Sequence, residues 1–163
     1  MRADERPFIL SPLTLVRGAI FTLLLVCSTA SADVIYGELL GKAGEYGVGY
    51  EHPITERLSL GGAGSIAILR GQQIVTAAPY VHVKLLERGA NGMFLELGAV
   101  LAHSRIPSPV ANWSGSSATG GGGFLSLGYQ RTEHWLVMRA ALSAEVGEGG
   151  VGPAFGLAFG VKP

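Results

Sequence analysis

The sequence predicts an all-β protein: one eight-stranded antiparallel up-and-down transmembrane β-barrel behind a cleavable signal peptide. Three observations carry that expectation. Two-residue periodicity recurs along most of the chain, the signature of strands. Hydrophobic residues make up 48% and charged residues only 15%, yet the 25 glycines interrupt every apolar run after the N-terminal segment. No later segment therefore offers the 18 or so apolar residues of a membrane helix. Charged residues also fall on the same strand faces as Gly and Ala, opposite the bulky apolar residues, which is the reverse of a soluble barrel.

The first 32 residues have the form of a secretory signal. Arg2, Arg6 and Arg17 make the leading segment basic, Gly18 to Val26 is a short apolar core, and Ala30-Ser31-Ala32 supplies a small-x-small cleavage site. Nine apolar residues are too few to span a bilayer as an anchor helix. Cleavage after Ala32 leaves residues 33–163 as the barrel domain. Cys27, the only cysteine, would leave with the signal, and Val26 before it disfavours a lipoprotein signal. The remaining chain has no disulfide or thiol chemistry.

Eight strands follow, at roughly 34–42, 45–53, 57–69, 73–86, 92–104, 119–130, 135–146 and 150–161. The clearest alternation runs through the fourth. Val75, Ala77, Pro79, Val81, Val83 and Leu85 share one face, and Thr76, Ala78, Tyr80, His82 and Lys84 share the other. The fifth sets Met93, Leu95, Leu97, Ala99 and Leu101 against Phe94, Glu96, Gly98, Val100 and Ala102. Short Gly-, Pro- and charge-rich turns separate the strands. One long loop, 105–118, is rich in Pro, Ser and Gly and carries Trp113, a candidate surface contact. Segments 93–103 and 135–145 also contain good helix formers, which leaves an α+β soluble domain as the competing fold.

Parity then assigns the faces. Glu38, Glu51, Tyr80, His82, Lys84, Glu96, Arg139 and Glu145 fall with the small residues, so they are expected to form a polar network in the lumen. An eight-stranded barrel has an interior that side chains just fill. Buried carboxylates need partners, and Lys84 and Arg139 are the expected cations, with Tyr80 and His82 as hydrogen-bond donors. An even strand number places both termini on one side, expected to be the periplasm, and the 105–118 loop on the other. Tyr50, Tyr129 and Trp135 fall near the terminal side, where an aromatic girdle belongs.

Tyr-Gly-Val-Gly-Tyr-Glu (46–51), Arg-Leu-Ser-Leu-Gly-Gly (57–62), Leu-Gly-Tyr-Gln (127–130) and the last strand give the chain a resemblance to the small outer-membrane barrels of the OmpA and OmpX class. The resemblance is architectural and covers the whole mature part. It implies residence in the bacterial outer membrane, contact with its lipid and recognition by the barrel-insertion machinery. Gly156, Phe159 and Val161 match the core of the C-terminal insertion signal. Ala154 replaces its polar residue, and Lys162-Pro163 extends beyond it.

Little else points to chemistry. His103 and Ser104 are adjacent, so on a strand they face opposite ways and form no nucleophile–base pair. His52, His82, His103 and His134 lack metal-ligand spacing. Gly120–Gly123 lacks the Lys-Ser/Thr of a phosphate loop. A formal net charge of zero gives no basic surface for nucleic acid. The expected function is a monomeric structural, envelope-integrity or surface-interaction barrel with a filled polar lumen, without cofactor or metal and not an enzyme. The alternatives are a narrow solute channel, a lipid-modifying barrel enzyme and a soluble periplasmic ligand-binding barrel.

Overall fold

The computed structural model describes residues 33–69, 72–106, 115–147 and 150–163, which form a closed barrel. The predicted signal peptide, 1–32, and Trp113 lie outside the described residues. The strands are β1 Val34–Gly41, β2 Gly44–Pro53, β3 Leu58–Leu69, β4 Gln72–Arg88, β5 Asn91–Ile106, β6 Ser116–Glu133, β7 Leu136–Gly147 and β8 Gly150–Val161. Each pairs antiparallel with its sequence neighbours, and β1 closes the ring on β8 from Ile35↔Val161 to Leu39↔Leu157.

All eight predicted strands are present, and the central ones are longer than expected. β5 runs to Ile106 and β6 begins at Ser116, so both strands reach into the predicted 105–118 loop. Segments 93–103 and 135–145 are strand, not helix. Their period-two pattern pairs with neighbours on both sides, and that tertiary context outweighs local helix preference.

Alternation along each strand sorts the side chains. Val48, Ile68, Leu142 and Val151 project outward and stay largely exposed, Val151 at 74%. Ala63, Ala78 and Ala158 project inward and are buried beside the polar residues. An exterior of bulky apolar side chains around a polar interior matches hydrocarbon as the outer solvent. Along the stretches where all eight strands pair, ring closure meets the backbone hydrogen-bonding requirement that hydrocarbon imposes.

The start of β1 and the end of β8 lie at one end with the tight turns. Gly89 and His134 adopt positive φ there, as two-residue hairpin turns demand. In the 54–57 turn, Thr55 Oγ1 accepts from the Leu58 and Arg57 amides.

The wall has unequal height. β1 has 8 residues and β2 has 10, whereas β4, β5 and β6 have 17, 16 and 18. Leu40 has a φ of +54° and is skipped in the β1–β2 pairing, which runs Leu39↔Tyr46 and then Gly41↔Gly44. Glu45 opposite is unpaired too, so the register is kept while the β1–β2 connection turns into the lumen, where Ala43 is buried and its carbonyl accepts from Ser65 Oγ at 2.5 Å.

Candidate functional site

The barrel's waist is filled by an interlocked set of side chains from six strands and the inward β1–β2 turn. Its centre is an ion pair between β2 and β7. Arg139 donates from Nη1 to Glu51 Oε2 at 2.7 Å and from Nη2 to Glu51 Oε1 at 3.1 Å. Its Nε donates to Gln130 Oε1 at 2.6 Å. This two-point geometry is the strong form of an ion pair, because the guanidinium fork matches the carboxylate plane. Tyr80 OH donates to Glu51 Oε2 at 3.3 Å and shares a 2.8 Å hydrogen bond with Tyr36 OH. His82, fully buried, sets Nδ1 3.1 Å from Glu96 Oε1 and stacks on Phe94 at 4.8 Å.

The second cation is not the predicted one. Lys42 places Nζ 3.0 Å from both Glu38 Oε2 and Glu96 Oε2, and 4.5 Å from the Tyr80 ring centroid. Lys84 faces inward but sits near the terminal mouth, half-buried and paired with Glu87 at 2.8 Å. Parity names the face of Lys84 correctly but says nothing of its depth, and a register shift between Lys84 and Leu86 marks the strand's exit from the regular wall. Glu145 also faces inward, but it stands at the far end without a basic partner among the described residues. The predicted network of eight thus divides. Glu38, Glu51, Tyr80, His82, Glu96 and Arg139 converge, Lys84 and Glu145 stand apart, and Tyr36, Lys42 and Gln130 join.

Bulk inside the barrel also departs from expectation, since Phe94 and Phe124 are buried in the lumen. Each large inward ring lies across from an inward glycine on the next strand: Tyr36↔Gly49, Tyr80↔Gly61, Phe94↔Gly128 and Phe124↔Gly98. A Cβ at any of these glycines would meet the facing ring. The glycines make the floor on which the rings lie flat, and the rings fill what the glycines leave empty.

Removing Lys42 would leave Glu38 and Glu96 buried without their shared cation. Lys42→Met is expected to cost about 3 kcal/mol, the scale of an orphaned buried charge. Adding Glu38→Gln should restore part of that. Urea unfolding in phosphatidylcholine vesicles measures both, and an unchanged midpoint in Lys42→Met would show that the contact carries no stability.

The remaining candidates sit on the periphery. His103 and Ser104 face opposite ways, and His103 Nδ1 lies 2.8 Å from Thr119 Oγ1 on the outer face. His52 lies on β2, not in a turn, with Nδ1 2.8 Å from Asp33 Oδ1, and His134 occupies the β6–β7 turn. Phe159 and Val161 point outward on β8, and Gly156 packs against the Gly41 backbone. Glu51, His82 and Glu96 bring potential ligand atoms within 4.8 Å of one another. Arg139 and Lys42 already engage those carboxylates, so a metal ion there would stand beside two fixed positive charges.

Neither a protein-family model nor a curated protein matches the chain. Solved structures do. The N-terminal barrel domain of Pseudomonas aeruginosa OprF aligns at 18% identity with a TM-score of 0.57, covering 80% of this chain and 97% of that one. Ail, the attachment invasion locus protein of Yersinia pestis, aligns at 10% identity and 0.54, covering 81% and 99%. Ail in complex with the heparin analogue sucrose octasulfate aligns at 12% and 0.54, covering 80% and 95%. At these identities the likeness concerns the fold: the chain has the fold of the small eight-stranded outer-membrane barrels.

Proposed function

We propose that the protein is an integral, non-catalytic barrel of the bacterial outer membrane that serves envelope integrity or surface contact and does not conduct solutes. The observation that carries this reading is the blocked waist. Tyr36, Tyr80, Phe94 and Phe124 fill the cross-section, and the Glu51–Arg139 and Glu38–Lys42–Glu96 contacts tie it together. The outward apolar surface supports a lipid setting over a soluble ligand-binding barrel. The separation of His103 from Ser104 removes the one pairing that would favour a lipid-modifying enzyme. In this reading the terminal end is periplasmic, Tyr50, Tyr129 and Trp135 form its girdle, Gly156, Phe159 and Val161 address the insertion machinery, and Trp113 is a candidate surface contact. Cleavage after Ala32 belongs to the same proposal. Because Ail is an attachment invasion locus protein, attachment is the first surface role to examine.

Planar-bilayer recording tests the central claim on protein taken from carbonate-washed outer membranes. The wild type should insert without steady current. Tyr36→Ala combined with Tyr80→Ala should give discrete conductance steps. Stable steps from the wild type would replace this reading with the narrow channel.

A further inference from the structure

The half of the lumen beyond the waist is built differently. Among its inward positions, Val100, Ala102, Gly120, Gly122, Glu145 and Gly152 line a cavity of about 450 Å³ that is open at the barrel mouth. A Cβ at Gly120 or Gly152 would meet nothing within 4 Å, unlike the glycines at the waist that carry rings. Absent side chains here leave a chamber, of the size class that takes small organic molecules.

The chamber also lacks part of its wall. β1 pairs with β8 only from Leu39↔Leu157 downward, and β2 pairs with β3 only from Val48↔Gly64 downward. Above those pairs, among the described residues, β8 from Gly150 to Gly156 pairs as a strand only with β7, and β3 from Ser65 to Leu69 only with β4. The β1–β2 hairpin that would close the gap has turned into the lumen at Leu40. Outward residues flanking the gap remain bulky and apolar: Ile66 and Ile68 on β3, Val151 and Phe155 on β8. The apolar band therefore continues past the end of β1, which at 8 residues is short of the roughly 9–11 that a spanning strand needs. In the membrane placement proposed above, the gap would face lipid, where unpaired strand edges are tolerated only if they line a water-filled cavity.

Charge selects the occupant. Glu145 has no basic partner among the described residues, and the charged group close enough to act on it is Glu38, another acid. Below it, three carboxylates, Glu38, Glu51 and Glu96, face two cations, Lys42 and Arg139. An anionic headgroup would be repelled. We propose that the chamber is a binding site for a small lipophilic organic cation, an alkyl amine or guanidine, which reaches it from the membrane through the gap between β8 and β3. The apolar walls take the tail, and Glu145 takes the cationic head.

The site rests on the membrane placement proposed above. The full chain, expressed in a Gram-negative host, is isolated from carbonate-washed outer membranes and placed in phosphatidylcholine nanodiscs. The discs carry either diazirine-labelled octadecylamine or diazirine-labelled octadecanoate, two probes that stay in the bilayer. Photolysis followed by peptide mapping should place amine cross-links on 100–102, 145 and 150–153, at least tenfold above those of the carboxylate. Glu145→Gln should reduce them about tenfold. Gly120→Leu with Gly152→Leu, at positions where a Cβ meets nothing within 4 Å, should fill the chamber and abolish them while the barrel stays folded. Equal labelling by the two probes, labelling spread over the outer face, or labelling unchanged in the filled variant overturns the site alone. Loss of the protein to the carbonate wash overturns the membrane placement and the site with it.

Discussion

Arg139→Leu should be the most damaging single substitution in the barrel. It strands Glu51 beside Glu96 with Oε1 unmet and Oε2 held only by the long Tyr80 hydrogen bond, and it leaves Gln130 without its Nε donor. Breaking a buried pair from one side costs about 3–5 kcal/mol, because the surviving charge keeps its desolvation penalty and loses its compensation. Glu51→Leu should cost a similar amount. The double variant should be more stable than either single one, since replacing both partners with apolar side chains removes the orphan. Urea titration of the four proteins in phosphatidylcholine vesicles gives the coupling directly. Additive losses would mean that Arg139 and Glu51 contribute through separate contacts, and the waist would not be a network.

The depth of that network explains what the sequence reveals and what it hides. Parity identifies the lumen face, because a two-residue period is a property of the strand alone. Glu38, Glu51, His82, Glu96 and Arg139 are all found that way. Tyr36 is two residues before Glu38 and is within reach of the same rule. Parity gives no height, and Lys84 and Glu145 show the consequence: right face, wrong level. Lys42 is hidden for another reason. It lies in a turn, where a lysine normally reads as solvated, and the chain bends inward at Leu40, which has a positive φ. Its one local hint is composition, since Gly41, Ala43 and Gly44 leave it the only long side chain in a connection small enough to fit inside a barrel. Phe94 and Phe124 contradict the rule that bulk faces lipid. Parity already sets Phe94 on the face of Glu96, but what makes room for either ring lies on other strands, in the facing glycines, and it appears only once register is known.

Those glycines should separate into two classes on substitution. Gly98→Val places a Cβ 2.5 Å from the Pro79 carbonyl oxygen and 2.6 Å from the Phe124 ring. One obstacle is backbone, so the wall itself must shift, at a cost of about 1–3 kcal/mol or more for overpacking. Gly61→Val meets the Tyr80 ring, which the hydrogen bonds to Tyr36 and Glu51 hold in place. Gly120→Val enters open space and exchanges a poor strand former for a good one, so it should be neutral or stabilising by up to about 1 kcal/mol. Second-site changes divide the first two further. Tyr80→Ala should partly rescue Gly61→Val, because the ring is the obstacle. Phe124→Ala should fail to rescue Gly98→Val, because the carbonyl remains. The folded fraction after refolding into vesicles, read by the heat-dependent gel shift, ranks all five proteins. If Gly120→Val proved as harmful as Gly98→Val, the far-end chamber would not be empty, and the division of the lumen into a packed waist and an open half would fall.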